Sequence, residues 1–448
     1  MKSPDHSGKR LINWAYHRTD PANQVIWVVV LSLGPYIYMG IRTEHVAVYG
    51  CLAVSLARYP KDRWAFHPSP LPILFFLLFM VIVSIVALIN APNWRGQVPG
   101  DPLSALDNSL LPMATIMLGA LWLLSGTRAS IIRNLCIATV STMTLAAVIS
   151  ILQVLLPEQA GLRQVLQYFW TQARDGSVAE LALGNGRYTG IFNQPAEAGI
   201  AFGLGLFACI YLIRIGSNYL ILKILVLSLL LVGGLLAQSK VFYLVSLSIA
   251  LVSMVLGRTK RWRVLGSGLA AVAVGSIGLL AAGMSEPLRY TGSFLNGATL
   301  GNVSGLTAGR FGGGGSVDGP LDFVLTNSPF YGLGMTYFGS ASDSEWLRIV
   351  GGSGLLGLTA FTLVLAILAY RLIRNSTALA EPDRWLAGSV LAMTIIGSFG
   401  IPVLSANRAG TLVCLVLAVT LGGLHTRLRR EATGQLAGST VAKRLRVT

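Results

Sequence analysis

The sequence is short of charge. Only 12% of its 448 residues are Asp, Glu, Lys or Arg, against 53% hydrophobic, whereas soluble globular chains carry roughly 25% charged residues. That excludes an ordinary water-soluble globule and points to a polytopic membrane protein. Acid is scarcer than base, 18 residues against 34, for a net charge of +16. In a soluble chain this excess would suggest nucleic acid. Here Lys and Arg gather between apolar runs, where they set orientation, so no nucleic-acid partner is expected. Cysteine is limited to Cys51, Cys136, Cys209 and Cys414, each inside an apolar segment, which excludes a disulfide framework and leaves buried packing. Histidine is limited to His6, His17, His45, His67 and His425. Only His45 is expected on the extracytoplasmic side, away from the long loops there, so histidine catalysis is not expected. The basic N-terminus lacks the apolar core and small-residue cleavage site of a signal peptide, which leaves targeting to the first membrane helix. The GGGG run at 312–315 is not followed by the Lys and Ser/Thr of a phosphate-binding Walker loop, so no nucleotide fold is indicated.

What the chain does have is apolar runs near the length of about 20 residues that crosses a bilayer. They fall at 25–41, 71–91, 109–125, 131–156, 191–213, 218–237, 241–257, 264–284, 346–370, 386–403 and 409–425, with a shorter one at 46–57. The expectation is an all-α polytopic membrane protein of about 12 transmembrane helices. Residues 1–22 would form a cytoplasmic segment, 23–426 the transmembrane domain and 427–448 a basic cytoplasmic tail. Alternate loops carry Arg58, Lys61 and Arg63; Arg128 and Arg133; Arg214 and Lys223; RTKRWR at 258–263; Arg371, Arg374 and Arg384; and then the tail. Basic residues accumulate on the cytoplasmic side, so both termini are expected inside. The long loops 157–188 and 285–344 are then extracytoplasmic, and the second precedes about the tenth span. A loop of that length without evident secondary structure is usually functional or disordered.

Charges on the extracytoplasmic side are few enough to weigh singly. The segment 320–358 joins a polar, glycine-rich loop to a carboxylate pair, Asp343 and Glu345, and runs without a break into an apolar helix carrying Arg348. One carboxylate within reach of a proton suffices for a general base. A divalent metal needs further oxygen ligands, which the neighbours scarcely offer, so a base is favoured over a metal pair. Capping of the helix is the structural alternative. Arg187 precedes GIFNQPAEAG, where Asn193, Pro195 and Glu197 interrupt an apolar pattern, marking either a functional segment lined by protein or water or a kink. Lys240, in AQSKVF at a tight turn, either snorkels to headgroups or contacts a phosphate. Arg310, in GLTAGRFGGGG, could join backbone amides to bind an anion. Arg408, in SANRAG at the end of the last span, completes a candidate cationic pocket suited to a pyrophosphate.

Over roughly residues 185–425 this arrangement resembles the O-antigen ligase and polymerase superfamily of bacterial surface-polysaccharide enzymes. RYTGIFNQPAEAG is similar to that family's Arg-Gly-Phe-Asn-Pro helix opening, AQSKVF to its Ser-Arg turn, NSPFYGLGMTYF to its N-P-x-x-G-x-G-x-x-x-F segment, and DSEWLRIVGGSGLLGL to its final loop-to-helix motif. Two departures matter. Asp343 and Ser344 stand where ligases carry a His-Asn pair, which is more like the polymerases. Lys240 replaces an arginine, keeping charge but losing the bidentate fork.

The resemblance implies a GT-C-like inverting glycosyltransferase, without metal or cofactor, in the bacterial inner membrane with its active site on the periplasmic side. Its donor and acceptor would be undecaprenyl-pyrophosphate-linked oligosaccharides, its surroundings membrane lipids, and a chain-length regulator a further partner. Asp343, with Glu345 second, would activate the acceptor hydroxyl. Arg310, with Lys240 and Arg187 or Arg408, would stabilise the departing pyrophosphate, and Arg348, Asn193 and Glu197 would join them in binding substrate. The lipid tail would lie in a groove between helices. The alternatives are a ligase transferring glycan to lipid A-core, a lipid-linked oligosaccharide flippase or other transporter, and a peptidoglycan polymerase.

The topology predicts that a single cysteine at Ser316, in a variant lacking the four native cysteines, is modified by a membrane-impermeant reagent in intact spheroplasts. Modification only after lysis would reverse the orientation.

Overall fold

Backbone groups in lipid have no water to bond to, so an apolar chain of this kind closes its hydrogen bonds within helices. The computed structural model is accordingly mostly helical. It describes residues 20–38, 41–58, 71–90, 102–125, 127–156, 160–170, 178–216, 218–255, 266, 318–334, 344–374 and 379–422. The first helices are α1 (Pro21–Ser32), α2 (Thr43–Arg58), α3 (Leu71–Asn90), α4 (Pro102–Ser125) and α5 (Arg128–Leu155), then the short α6 (Ala160–Gln167) and α7 (Val178–Gly184). They are followed by α8 (Pro195–Ile215) and α9 (Leu220–Leu236), and by a π-helical segment (Val241–Leu247) that continues into α10 (Ser248–Val255). The remainder comprises α11 (Asp318–Asn327), α12 (Glu345–Arg374), α13 (Glu381–Gly397), a 3₁₀ turn (Val403–Ser405) and α14 (Asn407–Gly422). Among the described residues four helices are long and apolar enough to cross a membrane: Leu106–Leu124 within α4, then α5, α8 and α12. Six shorter apolar helices accompany them among the described residues. Of the expected span at 264–284 only residue 266 is among those residues.

Several boundaries differ from the hydropathy reading. The expected span 25–41 ends at Ser32 and is followed by a two-stranded hairpin, β1 (Tyr36–Tyr38) with β2 (Ile41–Arg42). The cause is Gly34-Pro35. Proline has no N–H to continue a helix, and its ring disfavours helical geometry at the residue before it. Thr43 then closes the helix end by donating its hydroxyl to Leu31 O at 2.6 Å. Pro195, read as an interruption inside a span, instead opens α8 at its first turn, where a missing N–H costs nothing. Both long loops contain helices, α6 and α7 in 157–188 and α11 in 285–344.

The largest correction concerns α12, which does not run on unbroken. At Gly354 the backbone takes φ 63° and ψ −161°, and the turn at 329–334 enters the gap. Leu333 N donates to Gly351 O at 2.7 Å and Gly334 N to Gly352 O at 3.2 Å, while Leu355 N donates to Pro329 O at 2.8 Å and Leu356 N to Phe330 O at 3.3 Å. Bonds the helix loses internally are thus remade with this turn, which supplies main-chain partners where the break removes them. Glycine is required on both sides. A Cβ at Gly332 (φ 71°) would lie 2.6 Å from Gly354 N, and one at Gly354 would lie 2.6 Å from Tyr331 N.

Packing elsewhere relies on small residues, as expected where lipid offers helices no hydrophobic reason to associate. Gly199 and Gly203 of α8 face Ser239 and Ser246, and Gly233 of α9 faces Ala147 of α5. α4 lies along α14, α5 against α1, α8 and α9, and α3 against α12.

The bundle has two chemically different ends. At one, Arg128 pairs with Asp383 at 3.3 Å and donates to Thr420 O at 2.8 Å. There too Tyr211 donates to Asp383, Arg214 pairs with Glu381, and Lys223 donates to Leu212 O and Gly216 O at the C-terminus of α8. A cation there complements the helix dipole. The basic residues at 128, 214, 223 and 384 therefore share an end, as their alternate loops predict.

Gly354→Ala is expected to destabilise the protein by about 1–3 kcal/mol from backbone strain alone, with the collision in addition. Gly388→Ala, whose Cβ meets only Leu372 Cδ2 at 3.6 Å, should stay close to wild type. Thermal unfolding in detergent compares them, and equal losses would contradict the account of the break.

Candidate functional site

The other end of the bundle is built from helix starts. α12 begins with a side-chain cap: Ser344 Oγ accepts from Leu347 N at 3.4 Å and donates to Ser398 O at 3.1 Å. Glu345 N donates to the same carbonyl at 2.9 Å. The Glu345 carboxylate reaches across to the 3₁₀ turn, where Oε2 accepts from Leu404 N at 3.0 Å. Its Oε1 lies 3.8 Å from Arg348 Nε, an ion pair too long to be a hydrogen bond. Both side chains are buried. Glu345 is thus engaged as a strut between the start of α12 and the turn at 397–405, and the cap is supplied by its neighbour Ser344. Asp343 and Arg310 lie outside the described residues.

Behind this strut four charges from different parts of the chain are buried together: Arg42 (5% exposed), Glu44 (0%), Glu197 (0%) and Arg408 (1%). Two are positive and two negative. Glu197, in the first turn of α8, accepts from Asn193 N at 3.3 Å through Oε2, so Asn193 serves the helix opening through its backbone. Glu197 Oε1 has no hydrogen-bond partner among the described residues but lies in the field of Arg408 and Arg42. Arg408 donates through Nη1 to Ile191 O at 2.7 Å and through Nη2 to Phe169 O, with its guanidinium 5.4 Å from the centre of the Tyr36 ring. Arg42 Nε lies 3.1 Å from Glu44 Oε2, and Thr411 donates to Glu44 Oε1. Burial alone would lower the Arg42 pKa. Glu44, Tyr36, Glu197 and Asp107 outweigh it and leave that pKa raised.

Arg187 and Lys240 come together on a third segment. Arg187 Nη2 donates to Gln238 O at 3.1 Å, and Gln238 Nε2 returns a bond to Gly186 O at 2.7 Å. Tyr188 N donates to Leu236 O at 2.9 Å. Gln238 adopts φ 48°, the left-handed conformation that turns α9 into the π-helical segment, with half-buried Lys240 just before it. Val241 packs against Gly397 and Gly400, within 3.4 and 3.7 Å of where their Cβ atoms would lie. The lysine turn therefore abuts the very segment whose Ser398 carbonyl holds Glu345.

Seven of the sequence candidates, Arg187, Asn193, Glu197, Lys240, Glu345, Arg348 and Arg408, thus gather at one end. Sequence reading missed Arg42 and Glu44, and it missed His45 paired with Asp107 at 2.7 Å. The available signal was the charged run Arg42-Thr43-Glu44-His45, a short way past the Gly34-Pro35 break. His45 accepts from Arg42 N through Nδ1 at 2.9 Å, so both ring nitrogens are occupied and the ring fastens the hairpin to α4. Among the described residues no three His, Cys, Asp or Glu side chains come together as a metal-ligand set.

Chemically, the end offers cations in a partly dehydrated setting, two of them fixed by backbone carbonyls, beside the start of α12. Such preorganised cations stabilise negative charge that develops on a leaving group.

Arg408→Ala removes two buried hydrogen bonds from a charged donor, each contributing about 1.5–3 kcal/mol, and deprives Glu197 of an opposing charge. A clear drop in unfolding temperature is expected, and adding Glu197→Gln should recover on the order of 1 kcal/mol. Strictly additive losses in this double-mutant cycle would rule out the electrostatic link. The chain matches no family model and no curated protein.

Proposed function

We propose that this protein is an inverting glycosyltransferase that polymerises undecaprenyl-pyrophosphate-linked oligosaccharide repeat units, without metal, on the extracytoplasmic side of a bacterial inner membrane. One observation carries the reading. Segments far apart in sequence, 187–197, 238–241, 329–334, 344–354 and 397–408, converge on one end of the bundle. They include the described parts of all four motifs on which the family resemblance rests. The opposite end carries the basic loops, so an orientation with those loops cytoplasmic puts the converging segments outside.

In this reading the glycan leaves its pyrophosphate lipid and joins a hydroxyl of the next lipid-linked repeat. Asp343 accepts the hydroxyl proton as the new glycosidic bond forms and the bond to pyrophosphate breaks. Lys240 and Arg310 meet the growing negative charge, with Arg187 fixing the lysine turn through Gln238. Cations aimed at charge that exists only as the bond breaks favour the transition state over the bound substrate. Glu345 is better suited to positioning than to proton transfer, because its carboxylate is already committed to Leu404 N and Arg348. It sets the start of α12 against the 397–405 turn and so governs where the residues just before it can reach. The break in α12 does not argue for a transporter. The stretch from 355 to 374 is about 20 residues, roughly 30 Å, and spans a bilayer by itself, which puts the break at the rim and away from the midplane where transporters hold substrate.

Purified protein given lipid-linked repeat units in EDTA, without ATP, is expected to produce a ladder of glycan lengths on a gel. Asp343→Asn should lower kcat more than apparent donor affinity, and Lys240→Ala should slow transfer by about 10²–10³-fold. No ladder from well-folded protein, or near-normal polymer from both folded variants, would overturn the assignment.

A further inference from the structure

Several cations at the basic end of the bundle are matched within the protein. Arg128 pairs with Asp383, Arg214 with Glu381, and Arg384 is engaged as well. Arg133, on α5, is different. It is exposed, and among the described residues it takes part in no hydrogen bond, ion pair or ring contact. The adjoining helix α1, to which Asn134 donates at Ala22 O, brings one acid to this end. That acid, Asp20, caps α1 by accepting from Ala22 N at 3.1 Å and forms no ion pair among the described residues.

The charge that Arg133 does meet has its own sign. Lys223, in the first turn of α9, feels Arg133 as a like charge, and no carboxylate acts on it. Packing accounts for their proximity. α5 and α9 both start at the basic end and lie side by side, with Ala147 against Gly233. Fourteen residues back along each helix, about 21 Å, Arg133 stands level with Tyr219, one turn from Lys223. The Lys223 ammonium donates to Leu212 O at 2.8 Å and to Gly216 O at 2.7 Å. An ammonium has three N–H donors, so one is left for a further acceptor. Beyond Arg133 the exposed side chains of α5 include Ile137, Leu145 and Val148, and those of α9 include Leu222, Leu225 and Val232. Arg133 therefore heads a face that is turned to lipid.

We propose that Arg133 and Lys223 bind the phosphate of an anionic glycerophospholipid from the leaflet on the basic side, with an acyl chain along the exposed faces of α5 and α9. Two cations that repel each other, with no carboxylate between them, are complementary to an anion from outside the protein, and basic pockets between helices recognise such headgroups. The apolar faces select a lipid over a free phosphate. A zwitterionic headgroup would bring a third cation to the pair, so the anionic class is favoured. The site lies at the opposite end of the bundle from Glu345 and Arg408, and it stands or falls independently of the proposed glycosyl transfer.

The test uses the full chain, purified in a nonionic detergent, with thermal unfolding followed during titration with phosphatidylglycerol or with phosphatidylcholine of the same acyl chains. A ligand that binds only the folded state raises Tm with concentration. Phosphatidylglycerol is expected to raise Tm by several degrees, saturably and more than phosphatidylcholine. Arg133→Gln should remove most of the difference between the two lipids, with Arg133→Met in its place if that variant folds poorly. Arg374→Gln, which removes an equal charge beside Tyr370, should keep the difference. Without added lipid Arg133→Gln should be at least as stable as the wild type, because it loses only a like-charge contact. Equal responses of the wild type to the two lipids would overturn the proposal, as would a preference that survives loss of the Arg133 charge or falls equally in Arg374→Gln. A lower lipid-free Tm for Arg133→Gln, or a shift of equal size from glycerol phosphate alone, would do the same.

Discussion

Four backbone hydrogen bonds between the turn at 329–334 and the interrupted helix at Gly354 are the constraint on which the candidate site depends. They join a loop segment to a helix through main-chain atoms alone, so they fix position without specifying side chains. Around them the side chains at 344–348 take partners of their own: Ser344 caps, Glu345 spans to Leu404, and Arg348 lies beside Glu345. Without the break, the start of α12 would point along the axis of its lower half. With it, the upper piece answers to the turn at 397–405 through Ser398 O.

Polar material is distributed by the same economy at both ends. Charges that cannot be hydrated are brought to neutrality among themselves, Arg42 with Glu44, and Arg408 in the field of Glu197. Uncompensated burial of any one would cost several kcal/mol. The arginine fork is used where two carbonyls must be reached at once, at Ile191 and Phe169. A lysine suffices where a helix end offers adjacent carbonyls to one ammonium, as at Leu212 and Gly216.

Much of this was legible in the sequence, and the misses have particular causes. The helical membrane class follows from scarce charge and long apolar runs, and the shared end of Arg128, Arg214, Lys223 and Arg384 follows from their alternation. Hydropathy averages over Gly34-Pro35 because Ile37 and Ile41 carry the apolar signal past the true helix end. It also averages over Gly354, since glycines in an apolar run read equally well as close helix packing. The pairing of Glu44 with Thr411 joins positions 367 apart, which no local pattern exposes. The bond from Arg187 to Gln238 O, and the packing of Val241 in the lysine turn against Gly397 and Gly400, join segments far apart in the chain and were not indicated by the sequence. Chain geometry alone would not have joined them.

The neutrality of the buried quartet has an electrical consequence. Moving one elementary charge through 100 mV of membrane potential involves about 2.3 kcal/mol, so an unpaired arginine within that field would couple a displacement of its segment to the voltage. Arg42, Glu44, Glu197 and Arg408 sum to zero and sit together. When they shift as a body the field does no net work on them. The quartet itself therefore adds no voltage dependence to a movement of the elements that carry it.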